Sequence, residues 1–141
     1  MTGSRQVRTL LALGLMIVMM AFGATAQEAA PSLTLEVAEM GFGTGYDPQT
    51  RSLEGEGTVF PAGTETIYCR TRITGATEPT TVTHAWYRDG KTMARVELGV
   101  GSASWRTVSS KRLLPDWTGE WEVRVLDAAG TLLRSETFTV Q

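Results

Sequence analysis

One histidine and one cysteine stand in the 141-residue chain, His84 and Cys69, and their scarcity limits the chemistry available. A nucleophile and its base must meet, and a third group must orient the base. His84 shares its strand face with Trp86, so a meeting with Cys69 is possible, but no orienting acid stands out. Ser109 and Ser110 offer an alternative hydroxyl, yet no Gly-x-Ser-x-Gly elbow is present to expose either. Tetrahedral Cys/His zinc ligation needs more of both residues than the chain has, so neither metal nor cofactor is expected. Glu120 and Glu122 lie two apart on one strand, at a separation that paired glycosidase carboxylates use. The alternating Trp121, Val123 and Val125 claim the opposite face, which turns the acids to solvent. Asp47, Glu54 and Glu56 lack the spacing of a calcium loop. Gly41-x-Gly43-x-Gly45 precedes no helix start whose N–H groups would cradle phosphate.

The inventory therefore favours recognition over bond-breaking. All four Trp lie between residues 86 and 121. Trp86 and Trp121 read as core, whereas Trp105, among Ser104, Arg106 and Thr107, and Trp117, after Pro115-Asp116, read as surface. Aromatic and arginine side chains dominate interface energetics. The expected binding residues are Tyr87, Trp105, Arg106 and Lys111, with His84 among them but contributing less than Trp105 and Arg106. Strand alternation sends Trp105 and Arg106 to opposite faces, so both can contribute only if Trp105 sits at the start of its strand.

These side chains must be held by strands. Leu33 to Ala38 alternates with period two, and Gly41 to Gly63, with Asp47-Pro48 and Phe60-Pro61, reads as a long irregular crossing. Thr66 to Thr74 puts Ile67, Cys69, Thr71 and Ile73 on one face and Tyr68, Arg70 and Arg72 on the other. Thr80 to Arg88 and Lys91 to Val100 flank Asp89-Gly90, a type I′ hairpin signal because that turn needs positive φ at both central residues. Ala103 to Lys111, Glu120 to Leu126 and Leu132 to Val140 complete seven strands with no helix. Seven short strands with regular turn signals predict an all-β, immunoglobulin-like antiparallel sandwich. In that pattern Trp121 takes the place of the corner tyrosine, Val123 that of the second cysteine, and Cys69, Trp86 and Val123 share one core cluster. One conflict lies in the hairpin, where simple pairing sets Trp86 against Met93, His84 against Arg95 and Val82 against Glu97. That register leaves the more apolar face to Ala85, Tyr87, Ala94, Val96 and Leu98. A bulge within Ala94 to Leu98 would flip the phase and bury Trp86.

Residues 1–26 have the layout of a signal peptide: two arginines, an apolar run from Leu10 to Phe22, then Ala24-Thr25-Ala26 as a cleavage site before Gln27. A short polar tail, 27–32, then leads into a single domain over 33–141. The run is too short to span a bilayer, so no stable membrane insertion is expected after cleavage, and a periplasmic or secreted location follows. Thirteen Lys and Arg against fifteen Asp and Glu give −2. Loss of the leader leaves eleven against fifteen, −4, and no basic stripe to track nucleic acid.

Four runs also resemble a named group: Thr66 to Ile73, His84-Ala85-Trp86-Tyr87-Arg88-Asp89-Gly90-Lys91, Ser104 to Lys111, and Gly119-Glu120-Trp121-Glu122-Val123. Together they are similar to the bacterial family called domain of unknown function 2914, over about residues 41–141. The resemblance implies an exported or membrane-linked bacterial β-domain and carries over no catalytic residue. The expected function is a non-enzymatic module of the cell envelope that binds a protein, peptide or glycan. The alternatives are a small envelope hydrolase using His84 and a purely structural accessory domain.

Overall fold

Period-two alternation runs through most of the chain, and a computed structural model shows how it is satisfied over residues 34–141, the residues it describes. The leader, its cleavage point and the tail over 27–32 lie outside the described residues. Ten strands form: β1 Glu36–Gly43, β2 Gly45–Asp47, β3 Ser52–Glu54, β4 Val59–Phe60, β5 Thr66–Thr74, β6 Thr80–Arg88, β7 Lys91–Val100, β8 Ser104–Arg112, β9 Gly119–Asp127 and β10 Leu132–Val140. Seven are long and three are short pieces of the glycine-rich crossing. One sheet has the order β1-β5-β8 and the other β4-β10-β9-β6-β7, with β2 and β3 as a separate hairpin. The chain thus leaves the first sheet after β5, returns for β8 and leaves again, the exchange that makes an immunoglobulin-like sandwich rather than a meander. Among the described residues no helix is long and apolar enough to cross a membrane.

Inward alternation builds the core. β5 buries Ile67, Cys69, Thr71 and Ile73, and β9 buries Trp121, Val123 and Val125. Cys69, Trp86 and Val123 belong to one cluster, as the pattern predicts. Phe138 is its hub, stacked on Trp121 with centroids 5.8 Å apart and touching Phe42, Phe60 and Trp86 edge-on or tilted. Each such buried side chain contributes about 1.5–3 kcal/mol relative to exposure. The corner is also recognisable: Trp121 Nε1–H donates to the Trp117 carbonyl at 3.2 Å, as a corner tyrosine hydroxyl reaches back to upstream backbone.

The hairpin conflict is resolved by a bulge. Asp89 and Gly90 have φ of 48° and 79°, as a type I′ turn requires. The pairing then shifts: Tyr87 faces Thr92 but Trp86 faces Ala94, leaving Met93 as the extra residue, just before the stretch expected to bulge. His84 consequently faces Val96 and Val82 faces Leu98, so the apolar side of β7 joins Trp86 inside and Tyr87 turns out.

The first strand corrects the sequence reading. It begins at Glu36, with Thr34 and Leu35 outside it, and runs on past Ala38 to Gly43, with a register shift around Ala38 that interrupts the simple alternation. Gly41 and Gly43 are strand residues rather than breaks. A Cβ on Gly43 would lie 2.6 Å from the Glu54 carbonyl, and one on Gly41 2.6 Å from Glu56 Oε1. These glycines admit the β2–β3 hairpin against the strand. The expected irregular crossing therefore contains that hairpin, and also β4, which pairs in parallel with β10.

Candidate functional site

On the outer face of the three-stranded sheet, β5 and β8 set Arg72 directly opposite Arg106 and Thr74 opposite Ser104. β1 adds Glu39 opposite Arg72. The β2–β3 turn supplies Arg51 by a local device: Asp47 Oδ1 accepts the Gln49 and Thr50 N–H groups, and Arg51 takes a left-handed φ of 56°. The Asp47 carboxyl is held below its usual range chiefly by the Gln49 N–H. Arg70 Nη1 fixes the turn to the sheet by donating to the Arg51 carbonyl at 3.1 Å. Glu39 lies 3.3 Å from Arg72 Nε and 3.7 Å from Arg70 Nη2. Arg72 Nε is itself a buried atom without an aligned hydrogen bond. Glu39, Arg51, Arg72, Ser104, Trp105 and Arg106 together line a depression of about 360 Å³.

Trp105 joins this set because it stands near the open start of β8. Its phase is inward, yet it is 40% exposed, while Thr107 and Ser109 further along are buried. Its six-membered ring rests on Gly101, where a Cβ would come within 3.0 Å of Cη2 and Cζ3. The strand start thus lets Trp105 and Arg106 serve one surface despite opposite phases.

The other expected binding residues are dispersed. Lys111 is near the far end of β8, with Nζ 5.1 Å from the centre of the Trp117 ring. Trp117, expected on the surface, is only partly exposed and packs on Trp121 at 6.1 Å. Tyr87 projects from the other sheet under the Arg124 guanidinium, 4.2 Å away. Arg124 in turn bonds Glu122, so Glu122 is engaged on that outer face while Glu120 is exposed. His84 is a correction: it is fully buried between the sheets and cannot belong to an exposed binding surface. The bulge at Met93 carried its whole face inward.

His84 instead organises a buried polar chain. Trp86 Nε1–H donates to Ser109 Oγ at 3.2 Å, Ser109 Oγ lies 2.6 Å from His84 Nδ1, and His84 Nε2 lies 3.1 Å from Thr71 Oγ1, which meets Thr107 Oγ1 at 2.5 Å. Indole can only donate, so one consistent donor order runs from Trp86 through Ser109 and His84 to Thr71 and Thr107. That order places the imidazole proton on Nε2. Burial lowers the His84 pKa from 6.5 to about 4. Serine and histidine are thus within bonding distance, but Ser109 is 6% and His84 0% exposed, and the second imidazole nitrogen meets a threonine rather than an acid. The arrangement ties β6 to β5 and β8. Cys69 lies in the neighbouring core, its thiol pKa pushed up by burial and by Glu136, which makes it a packing residue rather than a nucleophile.

The depression was only half legible in the sequence. Alternation in β5 exposes Arg70 and Arg72, but their convergence with Arg51, Glu39 and Trp105 depends on a three-strand register and a turn conformation.

Comparison with curated proteins finds no match. A family model described as protein of unknown function (DUF2914) matches residues 79–140, from the threshold of β6 to the end of β10. The match covers the His84 to Lys91, Ser104 to Lys111 and Gly119 to Val123 runs and begins after the Thr66 to Ile73 run. The resemblance to the DUF2914 family thus holds over residues 79–140, less than half of the chain.

Proposed function

We propose that this protein is an exported, non-enzymatic recognition module of the bacterial envelope, binding a protein, peptide or glycan through the surface around Trp105 and Arg106. The observation that carries the reading is the exposed Trp105 ring set beside Arg72 and Arg106 on a rigid sheet. Aromatic and guanidinium groups supply contact energy without moving protons. The hydrolase alternative needs His84 to reach a substrate, and its two ring nitrogens are both engaged inside the sandwich.

A photocrosslinking residue placed at Ser104, with capture from envelope extract, tests the reading. A defined adduct is expected from the parent chain and should be lost on Trp105→Ala or Arg106→Ala in folded protein. An adduct indifferent to both substitutions, or a turnover abolished by His84→Ala alone, would overturn it.

A further inference from the structure

We infer that the ligand of this surface is a carboxylate-bearing glycan, with its acid groups on Arg72 and Arg106 and a sugar face on Trp105. The inference rests on the recognition reading above and names its ligand class. The chain as a whole carries −2, yet the depression gathers Arg51, Arg72 and Arg106 around one acid, Glu39, with Arg70 beside it. Glu36 is the other acid on this face of β1, opposite Thr74.

Like charges directly opposite each other destabilise a sheet, and Arg72 and Arg106 are direct cross-strand partners. Glu39 offsets Arg72 and Arg70, but Arg106 has no ion pair among the described residues. The depression therefore already holds one carboxylate, Glu39, and leaves Arg106 without one. A guanidinium matches a carboxylate with a planar, two-pronged set of donors, which a lysine would not.

About 360 Å³ admits a monosaccharide unit, and the lining is polar except for Trp105. A pyranose offers Trp105 one flat C–H face and offers Ser104 and the arginines its hydroxyl and acid groups. A peptide strand gains specificity from pockets for alternate side chains, and this lining has a single apolar member.

The test is calorimetric titration of the exported protein with oligogalacturonate, uncharged dextran oligosaccharide, oligoglutamate and polyphosphate. Oligogalacturonate should bind best and weaken as salt rises. Arg106→Gln and Trp105→Ala should each lower its affinity by at least about tenfold. Arg106→Lys should give an intermediate loss, and Arg95→Gln on the other sheet should change little, each variant being checked for an unchanged thermal transition. Oligoglutamate binding as tightly or more tightly would assign an acidic peptide instead, and preferred polyphosphate would assign a phosphate ligand; either overturns the inference. Absence of oligogalacturonate binding overturns it too. Dextran binding that needs Trp105 but not Arg106 would end the inference while leaving recognition intact, whereas release of reducing ends, lost in His84→Ala, would end the recognition reading itself.

Discussion

Acidification should weaken this sandwich through His84 in a window that can be worked out. In the folded protein the ring is neutral, with a pKa lowered from 6.5 to about 4 by burial. Its hydrogen bonds oppose protonation as well: a second ring proton, on Nδ1, would remove the acceptor that the Ser109 hydroxyl proton uses. In the unfolded chain the same ring takes a proton near its ordinary pKa. Between the two values the unfolded state binds more protons, so stability is fully present above about pH 6.5 and is lost as pH falls toward about 4. At about 1.4 kcal/mol per pH unit, the total loss is about 3 kcal/mol. That is a large share of the ~5–15 kcal/mol typical of a domain. The assay is urea unfolding of the parent chain and of His84→Gln at pH 8, 7, 6, 5 and 4. Gln is neutral throughout, so surface carboxylates cancel in the difference. The offset at pH 8 reports the disturbed network, and only the pH dependence of the difference tests the argument. A flat difference, or native His84 ring resonances titrating near pH 6.5, would show that the folded protein accepts the proton in place and would refute it.

Cys69→Ala should cost about 1–2 kcal/mol through the small cavity left in the core, and the native thiol should resist a thiol reagent until the protein unfolds; rapid labelling of folded protein would contradict the burial. Gly90→Ala should destabilise by about 1 kcal/mol in thermal melts, wholly from backbone strain at φ 79°, because nothing stands within 4 Å of a Cβ there. Deleting Met93 should remove the bulge and leave a regular two-residue hairpin in which Ala94, Val96 and Leu98 still face Trp86, His84 and Val82; a cooperative melt with only a modest loss from the partly buried Met93 side chain is expected, and loss of cooperative unfolding would argue against the bulge. Intact mass of the exported protein should show Gln27 as its first residue, and recovery of the full-length chain in the membrane fraction would refute cleavage after Ala26.

Local chemistry was sufficient for most of the elements. β5, β6, β7 and β10 have the bounds that alternation and turn residues predict, and Asp89-Gly90 forms the expected turn, because side-chain period and φ preference act within a few residues. The corner and the Cys69–Trp86–Val123 cluster were legible for a related reason: the residue types at a sandwich corner are set by packing common to that architecture. The choice of which face of β6 and β7 points inward was not local. Both faces carry apolar residues, and the one-residue bulge at Met93 that decides between them is selected by what the opposite sheet can accept. That decision moved His84 from a candidate ligand contact to the centre of a buried chain with Ser109, Thr71 and Thr107, residues 13 to 25 positions away along the sequence. It also turned Tyr87 outward, away from Trp105 and Arg106. The arginine depression is tertiary in the same sense. Arg51, Arg72 and Arg106 come from a turn and two strands, and only the register of β5 with β8 makes two of them neighbours. Alternation tells a strand that it has two faces, whereas the partner strand and the opposing sheet determine what each face meets.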